Sequence, residues 1–180
     1  MDQPCIIIVT GIMASGKSTV AQLLAERFEK SVHLRGDTFR KMIVNNRQEV
    51  RPDSADADLA QLRLRYRLAA QAADAYAADG FTVIVQDVIV GRLLSEFVRL
   101  VAHRPLYTAV LCPRPEVVAQ REAGREKKGY GIWTVQELDD VLRGETPRIG
   151  LWLDTSEQTP EETALDIMRR IWTEGAIESK

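Results

Sequence analysis

The stretch Cys5-Ile6-Ile7-Ile8-Val9-Thr10-Gly11-Ile12-Met13-Ala14-Ser15-Gly16-Lys17-Ser18 decides the fold. Its first residues are continuously apolar, the pattern of a strand buried on both faces of a parallel sheet. They run into Gly11 to Ser18, which carries G-x-x-x-x-G-K-[ST] at every fixed position. Behind the loop, Val20, Leu23, Leu24 and Phe28 recur at helical spacing. A buried strand, a glycine-rich turn and an amphipathic helix, in that order, make a phosphate cradle. Glycines let successive N–H groups point inward, and the helix N-terminus adds partial positive charge. Lys17 is placed to reach β- and γ-phosphates, and the Ser18 hydroxyl to hold Mg2+. Met13, Ala14, Ser15, Gly16 and Thr19 complete the nucleotide-binding stretch with Gly11, although Thr19 also reads as helix packing. The competing reading is a strand–helix turn that binds nothing.

Outward from this segment, apolar runs alternate with helical patterns. The runs are Ser31–Leu34, Phe81–Gln86, Leu106–Cys112 and Gly150–Asp154. Between them lie Leu62, Tyr66, Ala69, Ala73 and Tyr76, ended by Gly80, and then Leu93, Leu94, Phe97, Val98 and Val101. Such alternation predicts an open parallel α/β sheet with right-handed crossovers. Thr134 with Glu137, and Thr159 with Glu162, have capping-box spacing, with Pro160 at a first helical position. Gly144 is expected to stop the first of these helices. Asn45 to Asp58 and Glu122 to Tyr130 are the polar, turn-rich stretches where motion is expected.

Ligands of open α/β sheets bind outside the carboxyl ends of the strands, and polar groups recur there. Asp37, after the second strand, is the candidate general base that orients an acceptor hydroxyl and takes its proton. As an alternative it caps the helix carrying Phe39, Met42 and Ile43. Arg40 shares its helical face and is suited to the acceptor or a phosphate oxygen, or else is a solvated surface arginine. Asp87 ends an aliphatic strand, where an acid holds Mg2+ directly or through water and meets the acceptor; the alternative is an exposed strand-end carboxylate. Arg121 and Arg125 precede a glycine-flanked stretch and suit a lid over the transferring phosphate, or a basic face neutralised by Glu122 and Glu126. Arg63, Arg65 and Arg67 offer a basic track but spread around their helix.

Composition narrows the function. A chain of 180 residues with net charge −2 suits one domain and disfavours a protein whose main work is gripping nucleic acid. The run Cys5–Val9 is too short for a membrane span or a signal-peptide core, so a cytoplasmic protein is expected. Two cysteines in apolar runs make no disulfide framework, and His33 and His103 stand alone, so no zinc pattern exists.

With Gly11–Ser18, Arg35-Gly36-Asp37, Val85-Gln86-Asp87, Arg121/Arg125 and Leu151-Trp152-Leu153-Asp154-Thr155 in place, the chain resembles the nucleoside-monophosphate-kinase-like branch of P-loop proteins. Within it, the chain is similar to the chloramphenicol phosphotransferase-like small phosphotransferases, a group also described as AAA-type ATPases. The resemblance implies a P-loop NTPase three-layer α/β/α sandwich with a five-stranded parallel sheet in the order 2-3-1-4-5. It implies a single domain over residues 1–180, with an acceptor-binding segment near 38–60 and a lid near 121–133. It also implies that Asp37 is the base, that Arg121 and Arg125 are lid arginines, and that Thr155 lies near the nucleotide base. Cys5 and Cys112 would sit near opposite ends of adjacent strands. The activity so implied is ATP- and Mg2+-dependent phosphoryl transfer to a hydroxyl of a small molecule. A kinase for nucleosides or polynucleotide 5′ ends is the alternative within that chemistry, and a non-catalytic ATP-binding regulator the alternative outside it. Sequence does not assign the acceptor or the oligomeric state.

Overall fold

The computed structural model describes residues 3–52, 54–124, 126 and 129–178. Its strands are β1 (Ile6–Gly11), β2 (Ser31–Arg35), β3 (Thr82–Gln86), β4 (Leu106–Leu111) and β5 (Leu151–Leu153). Its helices are α1 (Lys17–Ala25), α2 (Asp37–Lys41), α3 (Ala60–Ala78), α4 (Leu93–Leu100), α5 (Pro115–Ala123), α6 (Val135–Asp140) and α7 (Pro160–Glu174). The five strands form one sheet in the order β2-β3-β1-β4-β5, with every neighbouring pair parallel. That is the order the resemblance implies.

β1 lies at the centre, and all six of its residues are buried. Ile6 and Ile8 point into the layer that contains α3 and α4, while Ile7 and Val9 point into the layer that contains α1 and α7. Full burial of each such side chain is worth about 1.5–3 kcal/mol, which is why this run can only be a central strand. Register places Ile6 opposite both Val83 and Leu106, so the C-terminal ends of β1, β3 and β4 open onto one edge. Thr10 ties β1 to the chain after β3: its hydroxyl donates to the Ile89 carbonyl (2.8 Å) and accepts from the Ile89 N–H (2.9 Å). Cys5 and Cys112 are both buried, and among the described residues neither is in a disulfide.

Two local expectations are corrected. On α3 the inward stripe is Tyr66, Ala69, Ala70, Ala73 and Ala77, whereas Tyr76 is 45% exposed and meets Phe81 edge-on at 5.7 Å. Gly144 does not stop α6. The helix continues as a π-turn over Val141–Glu145, and the backbone becomes extended at Thr146. The Thr146 hydroxyl donates to the Val141 carbonyl (3.0 Å) and accepts from the Gly91 N–H (2.7 Å), so a side chain makes the stop. Both capping boxes form, at Thr134/Glu137 and Thr159/Glu162.

Candidate active site

The phosphate end is built by backbone reversal. Gly11, Ala14 and Gly16 have φ of 148°, 60° and 96°. A Cβ on Gly11 would lie 2.5 Å from the Leu111 carbonyl oxygen, so β4 closes that position to any side chain. Ala14 holds a left-handed conformation that costs an L-residue about 1–2 kcal/mol, strain of the kind stored at binding loops. α1 then begins at Lys17 with no capping side chain and no acid in its first turn, unlike α6 and α7. The positive end of the α1 dipole therefore faces the loop with no acidic side chain in its first turn. The Lys17 ammonium is folded inward, donating to the Ile12 carbonyl (2.5 Å) and toward the Ser15 hydroxyl (3.5 Å). Ser18 and Thr19 are exposed, and the Ser18 hydroxyl donates to Gln86 Oε1 (3.3 Å).

A second cluster of charged side chains lies at the termini of β2 and β3. Asp37 begins α2, and its side chain does not cap that helix. Three cations surround it: Arg40 Nε at 3.0 Å, Lys41 Nζ at 2.7 Å and Arg65 NH1 at 3.5 Å. Partial burial pushes the Asp37 carboxyl up, but Lys41 and Arg40, helped by Arg65, outweigh it and hold the pKa at about 2. Arg40 also binds Glu49 on the following loop.

Asp87, expected at the metal, is paired with an arginine in this structure. It is 2% exposed, and both its oxygens are gripped by Arg65, Nε to Oδ2 at 2.7 Å and NH2 to Oδ1. The Val88 N–H donates to Oδ1 as well (2.7 Å). The strand-end side chain beside Ser18 is that of Gln86. Alternation along β3 decides this, because neighbouring residues project to opposite faces. Arg65 is thus the principal polar residue that sequence reading missed. A signal was present: Leu62, Arg65, Tyr66, Ala69 and Ala73 share the inward face of α3, and a charge on such a face needs a buried partner.

Above the cleft, Arg121 NH2 donates to the Thr155 carbonyl (3.0 Å) and NH1 to the Ser15 carbonyl (3.5 Å), bridging the loop after β5 and the phosphate loop. Thr155 is buried, and its hydroxyl oxygen has no hydrogen-bond partner among the described residues. Arg125 lies outside the described residues. Glu122 is buried, and its carboxylate accepts from the N–H groups of Gly129 and Tyr130, which ties that stretch back onto α5. The Tyr130 hydroxyl donates to the Met13 carbonyl (2.8 Å), and Trp133 Nε1 donates to the Val50 carbonyl (2.9 Å). The segment at 130–133 therefore touches both the glycine-rich loop and the loop that carries Val50. One cleft of about 1410 Å3 is lined by Met13, Ala14, Gly16, Lys17, Ser18, Thr19, Asp37, Arg40, Asp87 and Arg121 together. Gly11, Ser15 and Thr155 do not line it.

A family model described as chloramphenicol phosphotransferase-like protein matches residues 4–172 of the chain. A UPF0200 protein of Aeropyrum pernix is 28% identical over 145 residues, which is 76% of this chain and 73% of that protein. A sugar kinase from a Janibacter species superposes with a TM-score of 0.69 at 20% identity, covering 93% of this chain and 94% of that one. The Mycobacterium tuberculosis APS kinase CysC, solved in complex with AMPPNP and APS, superposes with a TM-score of 0.68 at 18% identity, covering 94% and 98%. At these identities the structural likeness is one of fold.

Proposed function

Because the chain belongs to the chloramphenicol phosphotransferase-like family, we propose that it is a Mg2+- and ATP-dependent kinase that transfers the γ-phosphate to a hydroxyl of a small molecule. The observation that carries this reading is the shared cleft. A phosphate cradle and an ionised carboxylate open into the same space, with an arginine across the cradle's mouth. The cradle fits a Mg2+·nucleotide, since the first turn of α1 lacks a capping side chain, Gly11 admits no Cβ, and exposed Ser18 offers a hard oxygen. With Mg2+ on the Ser18 hydroxyl and water, the metal would supply neutralisation of phosphate charge.

Within this reading, Lys17 exchanges the Ile12 carbonyl for β,γ-phosphate oxygens, and Asp37 receives the acceptor hydroxyl. As the acceptor oxygen bonds to the γ-phosphorus, the phosphorus–oxygen bond to ADP breaks and the hydroxyl proton passes to Asp37. A carboxylate held at about 2 is ionised at neutral pH and too weak to strip an alcohol beforehand. It orients the hydroxyl and takes the proton as the new bond forms. Arg121 stabilises charge on the transferring group, and Arg125, four positions on in the sequence, is proposed beside it. Arg40 with Val50, Leu62, Ile132 and Trp133 makes the acceptor wall. Arg40, Arg63, Arg65 and Arg92 are all bound to carboxylates, which supports a small acceptor over a polynucleotide end. No helix among the described residues is long and apolar enough to cross a membrane, and the cytoplasm, which supplies ATP, is the compartment this reading calls for.

The test is a transfer screen with γ-labelled ATP over antibiotics, sugars, nucleosides and oligonucleotides. Label should appear on one acceptor class, vanish with Lys17→Ala, and fall on the order of 10²–10⁴-fold with Asp37→Asn. Tight ATP binding with no labelled product, and an Asp37→Asn variant that behaves like the parent, would make the protein a regulator instead.

A further inference from the structure

The fork of Arg65 joins two carboxylates that arrive from different strands. Two of its nitrogens hold Asp87, and the third, NH1, stands 3.5 Å from Asp37 Oδ1. We propose that Arg65 is a positioning residue: anchored by Asp87, it sets the place of the Asp37 carboxylate within the cleft. This rests on the reading of Asp37 as the group that meets the acceptor.

The need for such an anchor follows from α2. That helix has five residues, none of them fully buried, and half-buried Phe39 is the side chain that packs it on the core, so apolar packing pins it at one point and leaves its rotation open. Asp37's other two partners, Arg40 and Lys41, ride on the same helix; Lys41 is 54% exposed, and Arg40 is shared with Glu49. Neither can locate Asp37 against the sheet, because both move with it. Arg65 comes from the 19-residue α3, and its side chain is 12% exposed. Asp87, its anchor, is 2% exposed and held by the Val88 N–H. Gly36, immediately before Asp37, completes the fit, since a Cβ there would lie 2.1 Å from Asp87 Oδ2. The charged groups around Asp37 are therefore Arg40 and Lys41 on its own helix and Arg65 on α3. Glu49 stands behind Arg40, and Asp87 behind Arg65. A lysine at position 65 offers one nitrogen and can serve one carboxylate but not both.

The test follows the Asp37 side-chain carboxyl by 13C NMR from pH 7 to 3.5 in the nucleotide-free protein, the resonance being assigned with Asp37→Asn. Arg65→Met and Arg65→Lys are compared with Arg65→Met/Asp87→Asn, which removes both charges of the buried pair and so keeps a folded reference. In the parent the resonance should stay flat through this range. In all three variants the resonance should begin to move below pH 4 and cover about a quarter of its full shift by pH 3.5, as a rise of about one unit requires. A second arm uses the acceptor found in the transfer screen. There Arg65→Met should lower kcat by about 10²-fold at unchanged KM for ATP, and should slow Asp37→Asn no further. An Asp37 resonance identical in parent and variants, or an additive kinetic loss, overturns the inference while leaving the kinase reading intact. Normal transfer by Asp37→Asn overturns that reading, and the inference with it.

Discussion

Replacing Gly36 with Ala sets local propensity against tertiary packing. Gly36 has φ −60° and ψ −33°, a helical conformation open to any residue, so propensity alone predicts a gain of about 0.4–1 kcal/mol. The surroundings predict the reverse. An added Cβ would stand 2.1 Å from Asp87 Oδ2, 2.8 Å from its Cγ and 3.2 Å from its Cβ. Turning the carboxylate moves the oxygens but leaves Cγ too close, so the whole side chain must leave, and Arg65 loses its fork. Breaking one side of a buried ion pair costs about 3–5 kcal/mol, which leaves a net loss of about 3 kcal/mol. For a chain of this size that lowers Tm by roughly 6–12 °C. Calorimetry or circular dichroism melting reads this directly, without knowledge of the acceptor. In an Asp87→Ala background the same Gly36→Ala change should cost nothing further, because the obstructing carboxylate is gone. A Tm equal to or above the parent's for Gly36→Ala alone would refute the packing argument and leave only propensity.

The remaining predictions concern catalysis and pH. Arg121→Ala should lower kcat by about 10²–10³-fold while changing ATP affinity far less, since a guanidinium over the phosphate loop acts on transition-state charge; a matched loss of affinity would place it on the ground-state nucleotide. Asp87→Asn should slow transfer without recovery at high Mg2+, because Asp87 faces Arg65, and recovery by metal in a Mg2+ titration would return it to the metal. Burial and the Arg35 cation hold the His33 imidazole at about 4, below its ordinary 6.5. The folded chain therefore keeps it neutral where the unfolded chain takes a proton. That stability is present above pH 6.5 and lost as pH falls toward 4, so the Tm drop between pH 7 and 5 should be smaller in His33→Gln than in the parent. An equal drop in both would remove His33 from the pH response.

Much of the fold was legible because it depends on patterns that are local along the chain. Unbroken apolar runs specify doubly covered strands, the stripes at 62–73 and 93–101 specify the facing helices, and capping boxes mark the starts of α6 and α7. The strand order was not read from those patterns; it came with the family resemblance and agrees with the sheet. Tyr76 and Gly144 misled for a common reason. An aromatic at helical spacing can lie at the edge of a stripe, and a glycine can sit inside a π-turn when a threonine hydroxyl does the stopping.

The site divides along the same line. From Gly11 to Ser18, conformation and chemistry are both local: the glycines set the turn, the turn aims the N–H groups, and the helix that follows supplies the dipole. Sequence by itself therefore determined a phosphate cradle and the edge of the sheet on which it opens. It also singled out Asp37 and Asp87 as carboxylates at that edge, but what each one faces depends on residues far away in the chain. Arg65, 22 positions before Asp87, meets it only because α3 packs across β3, and one step of β alternation aims Gln86 rather than Asp87 at Ser18. Tertiary structure alone decided which carboxylate is buried beneath Arg65 and which stays partly exposed in the cleft. Ion pairing depends on distance in space, and the chain's order records that distance only for near neighbours.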